Sequence, residues 1–138
     1  MFLAVTRYGL IACQYLAESY AEGRYVAAPD IAEKYNMNVR ALMPALRQLT
    51  KASILRSRVG GSEPGFIFAK NPKEVSVLEI LLALEGDIEF TCTKDLIPGI
   101  QCDCSSVKVC KFYETFCNII QQAKDTLSTI SITDNKIV

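Results

Sequence analysis

The chain has 138 residues, half of them hydrophobic, which supports one compact domain with its own core and excludes global disorder. Histidine is absent, removing the commonest general base and the commonest nitrogen ligand for metals. The formal charge is zero, yet residues 1–74 hold ten Lys/Arg against six Asp/Glu, while residues 75–138 hold five against nine.

A basic front and an acidic rear suit a protein that holds a polyanion with one part only, although a solvated basic face fits the same numbers. Within Val39–Arg58 there are five cations (Arg40, Arg47, Lys51, Arg56, Arg58) and no acid. No apolar run approaches the roughly 18 residues of a membrane span. Met1-Phe2-Leu3-Ala4-Val5 has no basic lead-in of the kind that opens a secretory signal, so a soluble, cytoplasmic protein is expected.

Apolar residues at helical spacing (Val5, Tyr8, Ala12, Tyr15, Leu16) predict a first helix over Val5–Ser19, stopped before Gly23. Tyr25-Val26-Ala27 predicts a short extended piece. Pro29 suits the first turn of a second helix over Asp30–Tyr35. Asn36-Met37-Asn38 then reads as a tight turn, in which Asn36 tolerates the left-handed conformation and Asn38 caps the next helix. That third helix, over Val39–Ser53, turns Leu42, Ala45, Leu46 and Leu49 inward, completing a helix-turn-helix. Pro44 inside it removes a backbone hydrogen bond to the Arg40 carbonyl and predicts a kink.

Ile54–Val59 and Phe66–Ala69 are β-prone runs around Gly60-Gly61-Ser62-Glu63-Pro64-Gly65, a turn by composition. A helix-turn-helix followed by such a hairpin is a winged helix. After Pro72 a strongly apolar helix is expected over Val75–Leu84, then an acidic, cysteine-rich loop. A long last helix begins near Cys110, with Tyr113, Phe116, Ile120, Ala123, Leu127 and Ile130 forming a coiled-coil-like seam. That seam packs either within the chain or against a second copy. The expected organisation is a winged-helix DNA-binding domain (1–85), a cysteine-containing sensor loop (86–109), and a dimerisation helix and tail (110–138): mainly α with a small β-wing.

A helix fits the DNA major groove and reads base edges from its N-terminal turns, here Asn38, Val39, Arg40 and Met43, with Arg47 one turn beyond. Arg56 and Arg58, alternating on one strand, would neutralise phosphates. Gly61 and Ser62 at the wing tip would approach the minor groove, where Glu63 is repelled. Binding of another protein by the same module is the competing reading. An enzyme is not: no cysteine has an evident base, and Gly60-Gly61 belongs to a hairpin rather than a phosphate cradle.

Thr6-Arg7-Tyr8, Asp30-Ile31-Ala32, Leu46-Arg47-Gln48-Leu49, Ile54-Leu55-Arg56-Ser57, Gly60-Gly61 with Gly65-Phe66, and Val77-Leu78-Glu79-Ile80 with Glu85-Gly86 resemble, in that order, the Rrf-type family of winged-helix transcriptional regulators (IscR/NsrR/CymR-like). The resemblance covers nearly the whole chain. It implies a homodimer on double-stranded palindromic DNA, most simply a repressor, without membrane attachment. It also implies an iron–sulfur cluster (2Fe–2S or 4Fe–4S) held by Cys92, Cys104 and Cys110, with Cys102 as an alternative to Cys104.

The fourth ligand that such members take from a histidine or an acid falls on Tyr113 or Arg7 here, so that ligand is missing. A thiol/disulfide switch and a structural zinc remain open for the same cysteines. Cys117, on an apolar helix, and Cys13, among Ala and Leu, are expected to be packed rather than ligating.

Overall fold

A computed structural model describes residues 3–89 and 111–134. Helix α1 (Ala4–Tyr20) buries Gly9, Ala12, Cys13 and Leu16 along one face. Its N-terminus has no cap of its own. Instead Glu85, at the far end of another helix, accepts a hydrogen bond from the Leu3 N–H at 2.8 Å and one from the Thr6 hydroxyl.

Helix α2 (Ala28–Lys34) starts two residues before the expected point, placing Pro29 in its first turn where a missing N–H costs nothing. Asn36 then takes φ +52°, and Asn38 caps α3 (Val39–Lys51) by accepting the Arg40 N–H at 2.8 Å. Helix α3 runs through Pro44 without a break in the helix. It ends two residues short of expectation because Ser53, at φ +62°, already turns the chain into the sheet.

Strands β1 (Leu55–Arg58) and β2 (Gly65–Phe68) pair antiparallel, from Leu55 opposite Phe68 to Arg58 opposite Gly65. The expected extended piece is real but minimal: Val26 alone bridges Phe66 on the other edge of β2, exchanging both backbone bonds at 3.0 and 2.8 Å. A single 3₁₀ turn, Pro72–Glu74, leads to α4 (Val77–Glu85). Helix α4 begins after the expected Val75 because Ser76 and Glu79 form a reciprocal capping box, which leaves Val75 extended and buried.

Helix α5 (Lys111–Thr129) lies against α4, and the chain after it returns to the domain. The Ile130 carbonyl accepts the Val77 N–H at 2.8 Å, Ser131 bridges Ser76, and the Ile132 N–H donates to Val75 at 3.0 Å. Ile132 is thereby buried in the same core as Leu16, Ile31, Leu46, Leu49 and Ile80. The architecture is mainly helical with a two-stranded antiparallel wing, as expected. Among the described residues no helix is long and apolar enough to cross a membrane.

Candidate nucleic-acid interface

The period of α3 decides which of its residues meet solvent. Leu42, Ala45, Leu46 and Leu49 are buried, so Arg40, Pro44, Arg47, Gln48 and Lys51 share the opposite, exposed face. None of Arg40, Arg47 and Lys51 has an ion-pair partner among the described residues. Lys51, part of the basic run but not singled out as a contact residue, lies on that face with the arginines. Pro44 is on it too, so the carbonyl deprived of its helical donor belongs to Arg40, on the solvent side.

The remaining residues expected at the helix start divide. Asn38 is exposed but spends its side-chain oxygen on the cap, leaving its NH2 group as the donor for any partner. Val39 and Met43 are half-buried against the core, so their side chains are committed largely to packing.

In β1, Leu55 faces the core, so Arg56 and Arg58 project from the other side of the sheet. The Arg58 side chain is exposed, but its guanidinium does not hang free. It lies over the Tyr25 ring, 3.9 Å from the ring centroid. Arg56 borders an open concavity of about 650 Å³, lined also by Tyr25, Thr50, Ser53 and Lys70, that joins the C-terminal end of α3 to the sheet. The wing tip is different in kind. Val59 is 98% exposed, and Gly61, Ser62 and Glu63 are exposed beyond it. The tip thus offers an apolar side chain and an acid, and no cation.

On α5, Tyr113, Cys117, Ile120, Lys124 and Leu127 are half-buried on the side toward the domain, whereas Phe116 (44% exposed), Ile119 (53%) and Ala123 form an outward strip. The expected seam thus mixes half-buried and exposed positions, and Ile130 lies just past the helix end. Ile119, absent from that seam, is the most exposed large apolar residue of α5 among those described. A groove of about 360 Å³ between α5 and residues 85–89 is lined by Ile88, Ile120 and Leu127 together with Ile119 and Ala123 of the outward strip, with Lys124 paired to Asp87 at 2.7 Å on its edge.

Cys92, Cys102, Cys104 and Cys110 lie outside the described residues. Arg7 is exposed on α1 and Tyr113 half-buried on α5. A guanidinium has only donors and cannot ligate a metal, so Arg7 does not complete a ligand set. Among the described residues no group of three His, Cys, Asp or Glu side chains converges. Cys13 is fully buried, and that burial pushes its thiol far above the ordinary range, which makes it inert.

A helix-turn-helix whose second helix shows a basic face to solvent, followed by a two-stranded wing, defines a winged-helix regulator of transcription. The chain belongs to the Rrf2 family, described as iron-dependent transcriptional regulators, whose family model matches residues 3–135. It resembles the solved structure of CymR (YrzC), the global cysteine regulator of B. subtilis, with a TM-score of 0.75, 21% identity, and coverage of 97% of this chain and 94% of that one. T. potens IscR aligns with a TM-score of 0.71 and 24% identity over 97% of this chain and 84% of its own.

A protein of Rhodopseudomonas palustris named as HTH-type transcriptional regulator BadM is 42% identical over 62 residues, 45% of this chain. The match spans only 39% of that relative's length. The family and these relatives are transcriptional regulators, not enzymes.

Proposed function

We propose that the chain binds double-stranded DNA as a homodimer and represses transcription from palindromic operators in the cytoplasm. The observation that carries this reading is the exposed face of α3, where Arg40, Arg47 and Lys51 stand together without acidic partners among the described residues. Unpaired cations on the outer face of a helix that fits the major groove are what phosphate contact and base reading require. Asn38 and Arg40 would approach base edges, Val39 and Met43 would set the helix start, and Arg47, Arg56 and Arg58 would hold the backbone. Gly61 and Ser62 would bring the wing close to the duplex.

Residues 1–85 form the DNA-binding unit in this reading, 86–109 the sensor, and 110–138 the dimerisation helix and tail. The outward strip Phe116, Ile119 and Ala123 supports self-association, because exposed apolar residues at helical spacing are what a second copy buries. Two recognition helices would then read half-sites one helical turn apart.

Thiolates from Cys92, Cys104 (or Cys102) and Cys110 suit an iron–sulfur cluster, and the site has three protein ligands, since neither Arg7 nor Tyr113 supplies a conventional fourth. The same cysteines would serve a thiol switch without a cluster. Replacing Arg40, Arg56 and Arg58 together with Ala is expected to abolish duplex binding at physiological salt, leaving only weak binding at low salt, while circular dichroism stays unchanged; unchanged binding would refute the assignment. Anaerobic purification followed by a visible absorption spectrum separates the two sensors: a coloured, iron-containing protein supports the cluster, and a colourless one that still binds DNA leaves the thiol switch.

A further inference from the structure

We infer that Tyr25 is a positioning residue for DNA-backbone contact: its ring holds the Arg58 guanidinium across the outer face of the sheet beside Arg56, so that the wing grips phosphate at its base rather than at its tip. The inference rests on the DNA-binding reading and adds to it a residue from outside the helix-turn-helix and wing.

The sheet register produces the juxtaposition. Val26 and Ser57 both pair with Phe66, on opposite edges of β2. Val26 is buried, so its neighbour Tyr25 faces outward, on the same side as Arg56 and Arg58. The cross-strand partner of Arg58 is Gly65, which has no side chain, whereas Ile67 is level with Tyr25 and Arg56. The guanidinium therefore crosses the narrow sheet and stacks at 3.9 Å on the ring. Arginine stacks well because its planar group is weakly hydrated, and stacking leaves its edge N–H donors pointing outward. Tyr25 also lines the concavity beside Arg56. Both arginines thus border one aromatic residue, whereas the tip carries Val59 and Glu63 and has no cation to offer.

The test uses the full-length protein and a mixed-sequence DNA duplex, with affinity measured by anisotropy across a salt series. Tyr25→Ala and Tyr25→Leu are expected to weaken binding about three- to tenfold, the size of a partly exposed cation–π contact. Tyr25→Phe, which keeps the ring, should bind like the wild type. Arg58→Ala should lower the slope of log K against log salt by about one. Combining it with Tyr25→Leu should cost nothing further, because the ring acts only through that guanidinium. Losses that multiply in the double variant, a Tyr25→Phe protein as weak as Tyr25→Leu, or a Tyr25→Leu protein that binds normally would each overturn the inference while leaving DNA binding in place. A wild-type protein that fails to bind the duplex would overturn both.

Discussion

A Cβ placed on Gly65 would lie 2.4 Å from the carbonyl carbon and oxygen of Val26, and the residue sits at φ +148°, a conformation that L side chains rarely adopt. The glycine is therefore what lets the chain before α2 join the sheet as a third edge. Gly65→Ala is expected to destabilise the fold by about 2–4 kcal/mol, through overpacking and backbone strain together, in a denaturant titration.

Cys13 gives a second prediction at this scale. Its thiol is held protonated by burial, so its folded pKa lies above that of the unfolded chain, whose ordinary value is 9.0. The associated stability is complete below that value and is lost as pH rises above it, because the unfolded chain then gives up a proton that the folded one keeps. In a native-state alkylation series Cys13 should stay unmodified near pH 8 and react only on addition of denaturant. Modification of the folded protein at the rate of an exposed thiol would contradict its burial.

At the scale of elements, neighbours close what local sequence leaves open. Helix α1 has no side-chain cap, and Glu85 supplies one from the end of α4. The Thr6 hydroxyl, with the Leu3 N–H, holds the Glu85 carboxyl below its ordinary range. A depressed carboxyl contributes stability above its unfolded pKa, and that contribution is lost as pH falls through the folded value. The melting temperature should therefore drop on acidification through the carboxylate range, and Glu85→Gln should remove part of the drop. An identical pH profile for that variant would show the contact to be inconsequential.

The return of the chain after α5 is a second such closure. Ile132→Ala should cost about 2–5 kcal/mol in the same denaturant titration, as for other buried isoleucines, although the residue lies beyond the last helix.

These cases mark what is legible in the sequence. The turn at Asn36, the cap at Asn38, the inward face of α3 and the wing all follow from local periodicity and turn chemistry, and the structure has them at the expected places. The capping box Ser76-x-x-Glu79 is equally local, and it alone places the start of α4 after Val75. The Glu85 cap, the Val26 bridge, the burial of Ile132 and the Arg58–Tyr25 stack join residues distant in sequence, and no local pattern carries them. The burial of the seam expected on helix α5 is likewise set by distant residues. The helix's apolar arc is wide, and packing leaves Tyr113, Ile120 and Leu127 half-buried while Phe116 and Ile119 stay exposed, with Ile119 lining the same groove as Ile120 and Leu127.

For the whole molecule, the described cations of α3 and the wing lie on the exposed surface, and the proposed dimer would use the exposed apolar residues of α5, Phe116 and Ile119. If the proposed dimer forms through this helix, Ile119→Asp should convert it to a monomer in sedimentation velocity while leaving the secondary structure intact. A variant that remains dimeric would move the interface elsewhere.

The proposed DNA binding rests on positive side chains of α3 and the base of the wing meeting the nucleic-acid backbone. That dependence is tested most directly by the salt dependence of duplex binding for the wild type and for the Arg40→Ala/Arg56→Ala/Arg58→Ala protein. The wild type should lose affinity steeply with salt, and the triple variant should have a slope shallower by about 2–3 per bound protomer, one released counterion for each missing cation. Equal slopes for the two proteins would contradict the account.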